Sequence, residues 1–160
     1  MKNNTDVQDN PGVIAPPPLI YAGALVGSLL LHLAFPVKVK LLPRRVSWIL
    51  GGSLIGIASL LILSAFRVMR QAGTEVNPTR PTSTLVVKGP FQFTRNPLYL
   101  SLTLAYSGIA MLLNALWAML MLPVILLVMR RWVIDREERY LEQKFGEEYL
   151  RYKARVRRWL

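Results

Sequence analysis

Long apolar runs constrain this 160-residue chain more than any other feature. The hydrocarbon core of a bilayer is about 30 Å thick, and an α-helix needs roughly 17–25 apolar residues to cross it. Residues 19–35 and 46–66 reach this length without a formal charge, and residues 98–129 form a third, longer apolar block. The chain is therefore expected to be an all-α integral membrane protein.

The third block is expected to fold as a tight helical hairpin. As one straight helix it would be about 48 Å long at 1.5 Å per residue, which exceeds the hydrocarbon core. Asn114 lies near its midpoint, in "LLNALW", and is a residue type that tolerates a reversal of the chain. Two legs, 98–113 and 115–129, bring the number of transmembrane helices to about four. The hairpin also brings Arg95-Asn96-Pro97 close to residues 130–138.

Residues 1–18 are polar and rich in Asn, Asp and Pro, so they are expected to form a disordered cytosolic tail. The remainder, 19–160, is expected to be one membrane domain. In "GGSLIG", Gly52 and Gly56 are spaced for a close helix contact, which we expect to lie inside the domain.

The net charge of +11 is distributed around the apolar runs. Half of the 20 basic residues follow Met129, so four spans with both termini in the cytosol satisfy the positive-inside rule. The positive charge is interpreted as setting the orientation of the spans in the membrane and as contacting anionic lipids, and not as binding nucleic acid. The basic tail, Arg155–Leu160, is interpreted as a lipid-facing surface. Cysteine is absent and there is one histidine, so no metal site is expected.

Beyond the hairpin, apolar residues recur every three or four positions, which predicts an amphipathic cytosolic helix that is broken at Gly146. The stripe consists of Leu141, Phe145, Tyr149, Tyr152, Val156 and Leu160. Extended backwards, its inward face contains Glu137 and Glu138, neither of which has a cationic neighbour at helical spacing. Inward carboxylates need another partner. That partner is either a cationic or hydroxyl-rich ligand, or a structural arginine such as Arg95 or Arg136.

Two segments, 86–101 and 130–152, carry a resemblance to a known family. The first reads "GPFQFTRNPLYLS", and the second contains Glu137-Glu138 followed by "FGEEYLRY". Together they resemble the isoprenylcysteine carboxyl methyltransferase and phospholipid methyltransferase family, and in particular its small bacterial members. The family pattern is a glycine, aromatic residues and Arg-His-Pro-x-Tyr-x-Gly, and then, after a hairpin, Glu-Glu and Phe-Gly-x-x-Tyr-x-x-Tyr.

The resemblance implies an S-adenosylmethionine-dependent methyltransferase of the bacterial inner membrane, with the donor bound between the two segments on the cytosolic side. Its acceptor is expected to be a lipophilic small molecule or a lipid, methylated at a carboxylate or at a lipid head group. No obligate protein partner is evident. The candidate catalytic residues are Arg95 and Arg136. The candidate donor-binding residues are Gly89, Phe91, Asn96, Pro97, Tyr99, Glu137 and Glu138.

The chain departs from the family pattern at two positions. Asn96 stands where the family usually has histidine, and Ser101 stands where it has glycine. Asn96 retains a donor and an acceptor but does not titrate near neutral pH, while Ser101 is expected to narrow a pocket slightly. These departures keep open the alternative of a non-catalytic scaffold that retains the fold. A second alternative, an NADPH-dependent membrane reductase, stays open because such enzymes resemble this hairpin architecture.

Overall fold

The computed structural model describes residues 12, 15–37, 42–74 and 82–160, and every regular element in these ranges is helical. Most of the predicted N-terminal tail lies outside the described residues. Six α-helices follow one another: α1 (Pro17–Ala34), α2 (Arg44–Gln71), α3 (Pro97–Leu112), α4 (Leu116–Met129), α5 (Asp135–Phe145) and α6 (Glu147–Arg155). A 3-10 turn, Gly89–Gln92, precedes α3, and a π-helical segment, Arg130–Ile134, joins α4 to α5.

Three helical stretches of the described chain are long and apolar enough to cross a membrane. They are Pro17–Ala34, Arg44–Gln71 and the continuous stretch Leu116–Phe145, and α3 is a shorter apolar helix. Large side chains of α1 and α2 such as Leu33 and Leu60 are about 70% exposed, as expected for a surface that faces lipid. The expectation of an all-α integral membrane protein is thus supported.

The reversal between α3 and α4 occurs at Asn114, as predicted. Asn114 adopts a positive φ of 51°, a conformation that Asn tolerates better than most residues. Its side-chain amide donates to the carbonyl of Leu42, which ties the reversal to the segment before α2. The Tyr106 hydroxyl of α3 donates to the Ala118 carbonyl of α4 at 3.0 Å, so the two legs are also joined across the hairpin.

Helix α3 lies at the centre of the bundle. It packs against α2 along one side, while α1 packs against α3 and α4. A cluster of buried side chains joins these helices: Tyr21, Tyr99, Tyr106, Ala110, Ala118, Ile125, Met129, Val133 and Ile134. The Tyr21 hydroxyl lies 2.7 Å from Thr103 Oγ1, so α1 is held to α3 by a hydrogen bond as well as by apolar packing.

The close contact between α2 and α3 is made by Gly51 and Gly108. A Cβ added at Gly51 would lie 2.7 Å from the Gly108 carbonyl oxygen, which leaves room for hydrogen alone. The prediction that Gly52 and Gly56 pack inside the domain is wrong. Both are exposed, and a Cβ added at either meets nothing within 4 Å. The contact therefore lies one residue earlier on α2.

The predicted break at Gly146 is present, and this residue adopts a φ of 51° between α5 and α6. The prediction that the amphipathic helix reaches Leu160 is wrong, because α6 ends at Arg155 and Val156 is extended, with φ −116° and ψ 130°. The following residues leave the helix because their carbonyl groups bind the segment that precedes α3. We refer to residues 156–160 as the C-terminal strap.

Candidate functional site

The segment that precedes α3 is held against α2 by Gly89. This residue has a φ of 59°, and a Cβ added to it would lie 2.8 Å from Val68 Cγ2 on α2. Both the backbone conformation and the close approach favour glycine. Gly89, a candidate for donor binding, is thus placed against α2.

The C-terminal strap binds the three residues before Pro97. The Arg95 amide donates to the Arg157 carbonyl at 3.0 Å. The Arg158 carbonyl accepts from the Thr94 hydroxyl at 3.1 Å and from the Asn96 side-chain amide at 2.9 Å. Thr94 and Asn96 are both buried, so these bonds satisfy polar groups that water does not reach.

Pro97 is the first residue of α3, a position where proline is favoured because its missing N–H has no helical acceptor. Tyr99, two residues later, is buried, and its hydroxyl donates to Glu137 Oε2 of α5 at 2.7 Å. This short contact to a carboxylate joins the two sequence segments. The predicted meeting of the pre-hairpin residues with the Glu-Glu helix is therefore confirmed.

Glu138 is buried and surrounded by cations. Arg158 binds both of its carboxylate oxygens, with Nε 3.0 Å from Oε1 and Nη2 2.8 Å from Oε2. Arg95 Nη2 lies 3.3 Å from Oε1, and Lys153 Nζ lies 3.8 Å from Oε2. Of the structural partners considered from sequence, Arg95 is present, but the closest partner is Arg158.

Two further carboxylates extend this network at its exposed edge. Asp135 Oδ1 lies 2.9 Å from Arg158 Nη2, and Glu142 pairs with Lys153. Hydrogen bonding to Glu138 raises the pKa of Arg158 above its usual range, so the guanidinium remains charged. The interpretation of the basic tail as a purely lipid-facing surface is wrong for Arg158, which binds into the site.

A cavity of about 500 Å³ lies where α2, α3, α5 and α6 meet the segment that precedes α3. This volume is in the range typical of small-molecule sites. Its polar lining includes Thr74, Arg95, Asn96, Tyr99, Glu137, Glu138, Tyr149 and Tyr152. Its apolar lining includes Ile62, Phe66, Met69, Leu85, Val86, Phe91, Pro97, Leu98, Leu102 and Leu141, with Pro16–Pro18 at the start of α1.

Arg95 has unused hydrogen-bonding capacity in this cavity. Its Nε and Nη1 atoms are buried and form no well-aligned hydrogen bond to a described residue, although the guanidinium lies near enough to the Tyr149 hydroxyl to lower the pKa of that tyrosine somewhat against the effect of burial. Thr74 also lines the cavity. Its hydroxyl is buried and has no hydrogen-bond partner among the residues that the structure describes. Buried donors normally have partners, so unpaired ones in a cavity wall are available to bind a further group.

Glu137 differs from its neighbour Glu138 in its charge environment. It accepts a hydrogen bond from Tyr99, but no lysine or arginine of the described residues forms an ion pair with it. Glu138 is already compensated by Arg158. The cavity wall therefore presents one carboxylate and one guanidinium, Glu137 and Arg95, that can each take an external partner.

The two tyrosines of α6, Tyr149 and Tyr152, are buried and line the cavity. Burial raises the pKa of Tyr149 and of Tyr152 well above the usual value. Both hydroxyls therefore stay protonated, and Tyr152 donates to the Phe91 carbonyl at 2.7 Å. This bond fixes the backbone of the 3-10 turn beside the cavity.

Gly89 is not part of the cavity wall, and the remaining candidate residue, Arg136, also lies apart. Its Nη1 donates to the Gly12 carbonyl at 2.8 Å, and it is not part of the cavity wall. Ser101 is also outside the wall, because its hydroxyl donates to the Leu98 carbonyl at 2.7 Å. Ser101 therefore does not narrow this cavity, and the role suggested for Arg136 depends on the sequence pattern alone.

The residues missed by sequence reasoning are Arg158, Lys153, Thr94 and Thr74. One signal pointed to Arg158, namely an excess of arginines after the last helix together with two unpaired carboxylates about one helix earlier. No such signal marks the threonines, since hydroxyl residues are common in turns and at helix ends.

Comparison with known proteins agrees with the family resemblance of the two sequence segments. A model of the phospholipid methyltransferase family matches residues 46–148. An uncharacterized protein of Haemophilus influenzae is 48% identical over 63 residues, which cover 39% of this chain and the whole of that protein. No solved structure matches the chain. The family match includes α2, the segment before α3, the hairpin and Glu137-Glu138, which are the parts that form most of the cavity.

Proposed function

Because the chain belongs to the phospholipid methyltransferase family, we propose that it is an integral membrane methyltransferase that uses S-adenosylmethionine to methylate a lipophilic acceptor. One observation supports this most directly. Arg95 has two N–H groups without a well-aligned hydrogen bond to a described residue, Glu137 has no cationic partner among those residues, and both line a cavity that also has an apolar wall. Such a site suits a charged, water-soluble donor that must meet a membrane-dissolved acceptor.

The cavity residues fit the donor chemically. S-adenosylmethionine supplies an electrophilic methyl group on a sulfonium, and it also carries an α-carboxylate, an α-ammonium and ribose hydroxyls. The unpaired N–H groups of Arg95 are suited to bind a carboxylate, and Glu137 is suited to accept from an ammonium or a hydroxyl as charge-assisted hydrogen bonds. Phe91 and Tyr99 offer flat surfaces against which an adenine can pack.

Glu138 has a different task in this proposal. Its carboxylate is already bound by Arg158, so it orients Arg95 and Arg158 and is not needed as a direct ligand of the donor. Asn96 and Pro97 set the start of α3 and hold Tyr99 in place. The binding role thus moves from the Glu-Glu pair to Glu137 and Arg95.

The acceptor is proposed to enter along the apolar wall. Ile62, Phe66 and Leu102 belong to apolar helices, and they line the same cavity as the polar groups. Their side chains exclude water from the reacting groups, which strengthens electrostatic interactions and limits hydrolysis. A lipid tail can lie against this wall while its polar end reaches the donor.

The proposed methyl acceptor is a carboxylate or a lipid head group. A carboxylate needs no base, and Arg95 can orient it, whereas an amine must first lose a proton. The single histidine of the chain, His32, is not part of the cavity wall, so no imidazole is present there to take that proton. This favours an anionic acceptor.

The proposed topology has four spans with both termini and the cavity on the cytosolic side of a bacterial inner membrane. The bias of basic residues towards the segments after Met129 supports it, since positively charged segments are retained in the cytosol. Helix α3 is slightly short for a full span, but its neighbours α2 and α4 flank it.

The test is calorimetric binding of S-adenosylmethionine and S-adenosylhomocysteine to the detergent-purified protein. Replacing Glu137 by Gln or Arg95 by Met should each weaken binding by about tenfold or more, because one charge-assisted hydrogen bond is lost. Glu148→Gln is the matched control, since Glu148 is exposed on α6 and lies outside the cavity wall. Transfer of labelled methyl groups to a lipid extract then identifies the acceptor.

Two results would overturn the proposal. Binding of NADPH in place of both sulfur ligands would assign the cavity to a reductase. Failure of all three compounds to bind the folded protein would leave a non-catalytic scaffold.

A further inference from the structure

A second concave surface lies on a different face of α3 from the donor cavity. This groove has a volume of about 540 Å³ and is lined by Leu100, Thr103, Pro123, Leu126, Leu127, Arg130 and Trp159. It shares no lining residue with the donor cavity, so it is a separate place from the proposed methyl-transfer site. Its walls come from the hairpin, from Arg130 at the start of the π-helical segment, and from the C-terminal strap.

The groove changes from apolar to cationic along its length. Leu126 and Leu127 belong to α4, which is apolar throughout, and α4 ends at Met129 immediately before Arg130. Arg130 is exposed, and it has no ion-pair or hydrogen-bond partner for its side chain in the described part of the chain. A free guanidinium at the end of an apolar helix is positioned where a phospholipid head group meets its acyl chains.

Trp159 closes the groove beside Arg130. Its ring is partly buried against the core cluster and also contributes to the groove wall. Tryptophan prefers the boundary between hydrocarbon and water, because its ring is apolar while its N–H is polar. The exposed neighbours Arg131 and Arg157 add positive charge, and juxtamembrane cations of this kind attract anionic lipids by about 1 kcal/mol each.

We propose that this groove binds one anionic phospholipid. Arg130 pairs with the phosphate of the head group, and one acyl chain lies against Leu127 and Trp159. Charge complementarity selects an anionic lipid over a zwitterionic one, since the groove contains a cation and no acidic residue. The bound lipid also holds Trp159, and with it the strap, in which the preceding residue, Arg158, binds Glu138.

The test uses the full-length protein in lipid nanodiscs and the quenching of tryptophan fluorescence by brominated lipids. The chain has four tryptophans, so Trp159→Phe identifies the signal that arises in the groove. Brominated phosphatidylglycerol should quench the wild-type protein more than brominated phosphatidylcholine does at the same fraction. The difference in quenching between the two lipids should disappear in Trp159→Phe. The three remaining tryptophans should be quenched equally by both lipids.

Charge variants test the role of Arg130. Arg130→Gln should lower the preference for phosphatidylglycerol about fivefold, as the loss of one cation predicts. Arg130→Lys should retain most of it. Arg70→Gln is the matched control, because Arg70 is an exposed cation at the same end of the bundle, on the last turn of α2.

Three outcomes would overturn the inference. The first is equal quenching of the wild-type protein by both lipids. The second is an excess that survives in Arg130→Gln or is lost to the same extent in Arg70→Gln. The third is loss of the extra quenching by phosphatidylglycerol when inorganic phosphate is added. That result would mean that the groove binds the phosphate anion alone and makes no use of the acyl chain.

Discussion

Replacing Arg158 by Met should destabilise the protein and weaken donor binding together. Arg158 donates two hydrogen bonds to Glu138 and also pairs with Asp135. Methionine has a similar length but no charge, so the substitution leaves the backbone contacts of the strap available. Glu138 would then retain Arg95 at 3.3 Å and Lys153 at 3.8 Å as its cationic partners.

The expected magnitude follows from the burial of the pair. Removing one partner of a buried ion pair costs about 3–5 kcal/mol. The side chain of Arg158 is 25% exposed and two other cations remain near Glu138, so the expected loss is smaller, about 2 kcal/mol. For a chain of this length, such a loss lowers the melting temperature by roughly 4–8 °C.

The weaker binding of the methyl donor in Arg158→Met has a cause that is separate from the loss of stability. Without Arg158, Arg95 becomes the nearest cation to Glu138, and the pairing draws it away from the ligand. We therefore expect binding of S-adenosylhomocysteine to weaken several-fold. Arg157→Met is the matched control, because the Arg157 side chain is exposed while its carbonyl still binds the Arg95 amide.

The assay is thermal unfolding in detergent with and without S-adenosylhomocysteine, carried out as a double-mutant cycle with Glu138→Gln. In the Glu138→Gln background the Arg158 substitution should cost much less, since the charge that it compensates is gone. Equal shifts for Arg158→Met and Arg157→Met, or strictly additive effects in the cycle, would refute the ion-pair explanation.

Three further predictions concern the helix contact, the donor site and alkaline pH. Gly51→Ala should cost about 1–3 kcal/mol, because its Cβ meets a carbonyl oxygen of α3 at 2.7 Å, while Gly52→Ala should leave the melting temperature unchanged. Tyr99→Phe should weaken donor binding about tenfold in calorimetry, since Glu137 loses the hydrogen bond that orients it. Burial raises the pKa of Tyr149, so its stabilising contribution is complete below the unfolded-state value of about 10 and decreases as pH rises above it. Melting temperatures from pH 8 to pH 11 should therefore decline less above pH 10 in Tyr149→Phe than in the wild type.

The membrane-spanning helices and the hairpin could be predicted because their causes are local. A bilayer selects for the length and apolarity of a run of residues, and both can be read along the chain. The reversal at Asn114 followed from the excess length of the last block, and the meeting of Arg95-Asn96-Pro97 with residues 130–138 followed from the reversal. These steps need no knowledge of how the helices pack.

The predictions that the structure contradicts concern features that depend on tertiary packing. Gly51 and Gly52 are adjacent, and only the orientation of α2 against α3 decides which of them lies in the contact. The pairing of Arg158 with Glu138 joins residues 20 positions apart across two helix ends, so helical spacing contains no signal for it. Likewise, the stripe continued to Leu160 in the sequence, whereas hydrogen bonding to the strap ends the helix at Arg155.

The strap also explains how the chain can have asparagine where the family usually has histidine. The Asn96 side-chain amide donates to the Arg158 carbonyl at 2.9 Å, and its backbone amide is bound by the Thr94 hydroxyl at 3.2 Å. The Arg158 carbonyl requires only an N–H group as its hydrogen-bond partner, and an amide side chain provides one at every pH. Titration is therefore not needed for this contact, and Asn96 links the start of α3 to the strap. Asn96→His should retain binding of the methyl donor above the pKa of imidazole, because a neutral ring still has one N–H. Asn96→Leu should lose donor binding at every pH, and binding equal to that of the wild type in this variant would show that the strap does not hold the site.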